Sequence, residues 1–497
     1  MALIPKKQLS ETDVQKGLRM VIWDGLAAEV MIAFTGSTFL TAMALLLGAS
    51  NVQIGLLASM PTITNLSQLI SIFLVRKFNN RRAIAVYCAY LARLPLVIAG
   101  VIIVLTGHTS VEILLTFLFL YYFFGSIAGP SWNSWMKDMV PENMLGVYFS
   151  RRTRLTQMLN VVMSLALAFL LDYIRDFYPD AELQTYAVFF ILAGAIGILG
   201  GYLLSRAPEP QSKLSHINLV SVFKMPLQNI NFRRLLFFNS AWVFATNLGI
   251  PFFSAYMLKG LGMPISYVII LNVISQIMSI LTIRIWGIFS DKYSNKTIIA
   301  LSAPIYIASI LAWCFVGLFN KAYLNLVWLA GIHFFMGIAT AGINLSLTNI
   351  GLKLAPNKDA IVYLSVKNII TAVFSSIAPL IGGLLADYFS KIQLTVSVQW
   401  NSPNINRIFK ILSLHEWNFL FLISATLAII SMEFLIHINE VGEMDKFIVR
   451  RIMRTTVRKS LREYFLIGNI INIHDEIRAM LRPKRVKKPD KSASPGG

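Results

Sequence analysis

Asp291-Lys292-Tyr293-Ser294-Asn295-Lys296 has a partner 215 residues earlier, Arg76-Lys77-Phe78-Asn79-Asn80-Arg81. Lys292 repeats Lys77, Tyr293 repeats Phe78, Asn295 repeats Asn80 and Lys296 repeats Arg81. The same offset joins residues 141–152 to residues 356–367, where Pro141, Val147, Tyr148, Ser150 and Arg152 recur as Pro356, Val362, Tyr363, Ser365 and Lys367. Two separate matches at one offset, in apolar sequence, mark a duplicated chain of two related halves. In a membrane protein such halves point to a transporter.

Membrane residence follows from composition. The chain is 56% apolar and only 14% charged, whereas soluble domains carry about a quarter charged residues. Apolar runs of about 20 residues recur along it, each long enough to cross a ~30 Å hydrocarbon core as a helix. They are continuous rather than alternating, which favours helices over the strands of a closed barrel. Twelve spans are read at residues 21–47, 52–75, 83–105, 111–135, 153–172, 184–204, 232–258, 264–288, 296–319, 322–349, 360–387 and 416–438. The expected fold is an all-α membrane protein with twelve transmembrane helices in two pseudo-symmetric six-helix bundles. Residues 1–20 form an N-terminal segment, 21–204 the first bundle, 205–231 a linker, 232–438 the second bundle and 439–497 a tail.

Of the 44 Lys and Arg residues, 37 fall on one side of this plan. The positive-inside rule then puts both termini, the linker and the tail in the cytoplasm. The net charge of +20 is thus mostly topological and does not call for nucleic acid. Phe447, Ile448, Ile452, Leu461, Tyr464 and Phe465 recur among Arg450, Arg451, Arg454, Arg458, Lys459 and Arg462. This is a basic amphipathic helix suited to an anionic lipid surface. Cys88 and Cys314 each sit in an apolar run and read as core fillers. No HExxH, CxxC or Walker-type GxxxxGK[ST] occurs, so neither a metal nor a cofactor is expected, and there is no sign of nucleotide hydrolysis.

Gly287-Ile288-Phe289-Ser290-Asp291-Lys292-Tyr293-Ser294-Asn295-Lys296 resembles the loop signature of the major facilitator superfamily, Gly-x-x-x-Asp-(Arg/Lys)-x-(Gly/Ser)-x-(Arg/Lys). A small residue lets two helices approach closely, and Gly287, Asp291, Lys292 and Lys296 are the gating-loop candidates. In the first-half copy Ser71 or Ile72 stands in place of Gly, and Arg76 replaces the acid. The stretch 129–142 looks like the region between spans 4 and 5 of a bacterial branch of the superfamily, as does Pro379-x-x-Gly382-Gly383-Leu384-Leu385-Ala386-Asp387 in span 11. Span 5 has no Gly or Pro from 155 to 171, unlike the Gly-Pro-Gly-Gly motif of the superfamily's drug/proton antiporters. The resemblance covers residues 20–438 and implies a central cavity that spans 1 and 10 line and span 3 does not. It names no substrate.

A charge deep in a bilayer costs several kcal/mol unless it is paired or hydrated. Asp24 and Glu29 lie on span 1, Arg93 on span 3 and His333 in mid-span 10. Glu29 falls roughly 12 Å and Arg93 roughly 15 Å from the same membrane face, so their depths are compatible. These four are the proton-coupling candidates. Against that stands a structural pair joining spans 1 and 3, and a neutral His333 bonded to a neighbouring helix. The cavity candidates are Thr35, Thr38, Asn65, Tyr121, Tyr122, Asn239, Trp242, Asn247, Asn272, Gln276 and Asn344. Pro61 and Pro251 can break helices where a cavity widens.

The function expected is secondary active transport of a small polar or amphipathic organic solute by alternating access, coupled to protons as in a symporter. It would act as a monomer in a bacterial inner membrane. The nearest rival is a proton-antiport exporter of drugs or metabolites. A polytopic membrane enzyme is disfavoured because the outward loop 388–415 holds no acidic or His cluster. A sensor signalling through the basic tail is the remaining class.

Overall fold

The computed structural model describes residues 5–6, 9–141, 144–211, 219–317, 322–356, 360–402 and 405–440. Among them, twelve helices are long and apolar enough to cross a membrane. They are α1 (Glu11–Leu46), α2 (Asn51–Phe78), α3 (Arg81–Thr106), α4 (Val111–Met139), α5 (Gly146–Phe177), α6 (Pro179–Ser205), α7 (Ile230–Gly260), α8 (Ile265–Tyr293), α9 (Asn295–Phe315), α10 (Tyr323–Leu354), α11 (Val362–Phe389) and α12 (Trp417–Ile436). The chain is a multi-pass membrane protein of two six-helix bundles. The basic helix expected after Glu440 lies outside the described residues.

The two halves repeat one packing scheme. In the first, α3 packs on α4 and α6, and α1 on α5 and α6. In the second, α9 packs on α10 and α12, and α7 on α11 and α12. The halves meet where α2 packs on α11 and α5 on α8. At the α2–α11 contact the backbones touch, since a methyl added at Gly55 would lie 2.2 Å from the Pro379 carbonyl oxygen. Glycine supplies that approach because it has no Cβ.

Helix ends are fixed by side chains. Ser50 and Gln53 form a reciprocal capping box at the start of α2. Asn79, in the left-handed region at φ 45°, ends α2, and Asn80 caps α3. Each half also closes on itself through one carboxylate. Glu209, just after α6, accepts the N–H groups of Arg81 and Arg82 at the start of α3 and the Arg81 Nε, each at 3.0 Å. Glu440, after α12, accepts those of Asn295 at 3.1 Å and Lys296 at 2.7 Å at the start of α9. An anion there satisfies orphan amides and suits the helix dipole.

Three features differ from the sequence expectation. α1 begins at Glu11, ten residues before the expected span, because Ser10 caps it. It also breaks at Thr35 and Gly36 into two segments. α5 begins near Gly146, so Arg151, Arg152 and Arg154 are helical rather than in a loop. A hydropathy window stops at the first charged cluster, whereas the helix runs past it. Residues 388–415, expected as a plain loop, hold an antiparallel hairpin of β1 (Gln393–Ser402) and β2 (Ile405–His415). Its alternation of Leu394, Val396, Val398 and Trp400 is the period-two strand signal. The hairpin lies on the face opposite the start of α1 and the end of α12, and the two faces are called here the hairpin face and the termini face.

Candidate functional site

Hydrogen bonds between the halves gather at the hairpin face. Asp172, near the end of α5, accepts the backbone N–H groups of Ile265 and Ser266 at the start of α8, both at 2.8 Å. Asp387, near the end of α11, accepts those of Asn51 and Val52 at the start of α2, at 3.1 and 3.2 Å. The two carboxylates are 215 residues apart, the offset of the duplication. Each half therefore grips a helix N-terminus of the other with the same residue. Around Asp387, the Asn51 Nδ2 donates to Glu416 at 2.9 Å and the Trp417 Nε1 donates to Asn51 at 3.1 Å.

Below this seal lies a cavity of about 520 Å³ between the halves. Pro61 and Pro251, both at helix breaks, line it, as do Thr38, Tyr122, Asn272, Gln276 and His333. Thr38 and Asn272 meet across the halves at 3.5 Å. His333 is buried, its ring 5.8 Å from that of Trp313 and its Nε2 without a partner. Asn160, Ser164 and Ser254 also face this space. Glu29 is half-buried and lies close to Asn160 and Arg152 of α5.

A second cavity, about 590 Å³, lies inside the first half. Asp24, Asn65, Arg93, Tyr121 and Arg152 line it, and Pro61 and Tyr122 belong to both cavities. Asp24 and Arg93 are buried, and Arg93 and Arg152 both act on Asp24 through space. Arg152 stacks its guanidinium over Trp132 at 5.0 Å. The structure brings Arg93 to Asp24, and turns Glu29 toward Asn160. Five residues along a helix rotate a side chain by about 140°, so Asp24 and Glu29 face different neighbours.

The other candidates sit elsewhere. Thr35 is buried and donates to the Met31 carbonyl at 3.0 Å. Asn239 donates to Thr371 and ties α7 to α11. Trp242 packs between Phe238 and Tyr306. Asn247 donates to the Val243 carbonyl within its own helix, and Asn344 is exposed. Of the expected gating loop, Gly287, Asp291 and Lys292 are helical, in the last turns of α8; Asp291 and Lys292 are exposed at the termini face, with the Lys292 ammonium 5.3 Å from the Tyr293 ring. The Lys296 Nζ donates to the Ile436 carbonyl at 3.0 Å. A third cavity, about 640 Å³, opens between α2 and α11 on that face, lined by Gln68, Arg76 and Ser365.

Sequence reasoning missed Arg152, Asn160 and Asp172. For two of them the signal was present. Arg152 recurs as Lys367 and Asp172 as Asp387 at the repeat offset. Asn160 carried none, being one polar residue in an apolar run.

Residues 26–360 and 243–447 match the family model described as Major Facilitator Superfamily. No curated protein sequence matches. Among solved structures, the nucleoside transporter NupG is 13% identical, with 84% of this chain and 98% of that chain covered and a TM-score of 0.62. A bacterial homolog of the human lysosomal transporter Spinster, inward-facing and unoccupied, is 13% identical over 90% and 99%, with a TM-score of 0.58. A POT family transporter in complex with 5-aminolevulinic acid is 13% identical over 88% and 99%, also at 0.58. At such identities the likeness is one of fold.

Proposed function

Because this chain belongs to the major facilitator superfamily, we propose that it is a secondary active transporter that moves a small polar organic solute by alternating access, with protons as the coupling ion. It is a membrane transporter rather than an enzyme. The observation that carries the finer reading is the 520 Å³ cavity between two homologous bundles, with polar groups from both, beneath a seal that joins the bundles at the hairpin face. A solute in that cavity touches both halves, so its binding can bias their rocking. The solved structures name unlike molecules, one a nucleoside transporter and another a complex with 5-aminolevulinic acid, so they do not choose the solute.

Proton coupling rests on Glu29. Its carboxylate lies within electrostatic reach of Asn160 and Arg152, a charge tie between α1 and α5. Protonation removes the charge and weakens that tie, which links proton occupancy to the helix that carries Asp172. The excess of Lys and Arg on the termini face supports a cytoplasmic termini face. The arrangement then has its seal on the outside.

The test is solute flux in proteoliposomes against a panel, with and without a pH gradient, for the wild type and Glu29→Gln. Gradient-driven accumulation that Glu29→Gln abolishes is expected. Flux that ignores both the gradient and the substitution would sink proton coupling, and no flux of any solute would sink transport.

A further inference from the structure

Two guanidinium groups and one carboxylate face the cavity inside the first half. Arg93 is 8% exposed and Asp24 5%. The Arg93 Nε, the Arg152 Nε and the Asp24 Oδ1 are all buried without a hydrogen-bond partner among the described residues. Glu29 lies within electrostatic reach of Arg152 and Asn160 but does not line this cavity. The lining therefore carries one positive charge in excess, on guanidinium groups whose Nε–H is unsatisfied. Arg93 is buried and Arg152 half-buried, so an anion between them would offset a charge held partly out of water.

The three side chains are seated. A methyl at Gly25 would lie 2.7 Å from the Arg152 Nε, one at Gly197 2.9 Å from the Arg93 Nε, and one at Gly200 3.3 Å from the Asp24 Oδ1. Each charged group lies over a glycine of a neighbouring helix, which fixes its direction. Around them Tyr121, Ser126 and Asn133 offer neutral polar groups. The cavity meets the central one at Pro61 and Tyr122, so a solute could place one end in each.

We propose that this side chamber binds the oxyanion group, carboxylate or phosphate, of the transported solute between Arg93 and Arg152, making the substrate an organic anion. Planar guanidinium forks match carboxylate and phosphate oxygens in pairs. The solute's remaining body extends past Tyr122 to Thr38, Asn272 and His333. The proposal rests on the transport reading in that it names the substrate class of the same cavity.

The test is thermal unfolding of the full chain in detergent with inorganic phosphate, succinate or neutral glycerol, since ligand that binds the folded state raises its stability. Phosphate or succinate should stabilise the wild type and glycerol should not; which of the two acts identifies the oxyanion. Arg93→Gln and Arg152→Gln should each lose about tenfold or more in affinity. Arg93→Lys and Arg152→Lys, which keep the charge should the Gln variants not fold, should retain part of it. Gly25→Ala, which displaces Arg152 without removing charge, should weaken binding too. Asp24→Asn should strengthen it by removing a competing carboxylate; a purely structural Asp24–Arg93 pair predicts no such gain. Equal responses in the wild type and the Arg93 and Arg152 variants, or stabilisation by glycerol alone, would overturn the proposal. Oxyanion binding without flux of any solute would leave the site standing and remove transport, while flux of neutral solutes alone would do the reverse.

Discussion

The two halves are alike at their edges and unlike inside. At the hairpin face Asp172 and Asp387 perform one task from equivalent positions. At the termini face Glu209 and Glu440 each clasp the start of their half's third helix. In the interior the correspondence fails. At the repeat offset Asp24 faces Asn239, Glu29 faces Phe244, Arg93 faces Ala308 and Arg152 faces Lys367. Asn239 is bonded to Thr371, and the Lys367 ammonium donates to the Leu347 carbonyl. Among the described residues, the first half thus keeps buried or half-buried charged groups with unsatisfied atoms, and the second keeps hydrogen-bonded, mostly neutral packing. Duplication has preserved the contacts that join the halves, while charged groups without partners have been concentrated on one side.

The largest expected effect tests the clasp. Arg81 and Glu209 form a 3.0 Å pair with both side chains 2% exposed, and breaking a buried pair costs about 3–5 kcal/mol. Glu209→Gln should therefore lower the unfolding temperature far more than Glu440→Gln, whose partner Lys353 is 44% exposed. Equal losses would mean that backbone capping alone matters at both sites.

Next comes the interior. Arg152→Gln should reduce flux by about tenfold or more, and Lys367→Gln by less than about threefold. Parity between them would restore the symmetry that the cavity lining breaks.

The seal should show the opposite pattern. Asp172→Asn and Asp387→Asn each weaken two charge-assisted bonds from helix N-terminal amides, a loss of about 1–2 kcal/mol apiece. Both should raise exposure of the hairpin face to a thiol reagent by similar factors, on the order of 5–30. A silent partner would break the twofold reading. The smallest effect belongs to Asp291→Asn, an exposed site where stability should change by no more than about 0.5 kcal/mol.

Much of this architecture was legible in the sequence, because a bilayer permits few structures and helix-length apolar runs are hard to mistake. The duplication could be read from two loops. What escaped depends on rotation and register. Depth alone put Glu29 level with Arg93, but helix rotation gives Arg93 to Asp24. Arg152 looked like a loop cation until α5 was seen to start before it. The hairpin hid because Leu394, Val396 and Val398 resemble one more apolar patch in a chain full of them. Asn239, Trp242 and Asn247 were plausible cavity residues by type, yet their bonds and packing serve the second half's own helices.

The most direct test of alternating access about the twin seal is a pair of distance measurements between spin labels, on a chain with Cys88 and Cys314 replaced. One label pair spans α2 and α11 at the hairpin face, the other spans the same helices at the termini face. On titrating solute and pH, the hairpin-face distance should lengthen as the termini-face distance shortens, and Asp172→Asn with Asp387→Asn should favour that state before any solute is added. Distances that stay fixed at both faces, or that change together in the same sense, would contradict it.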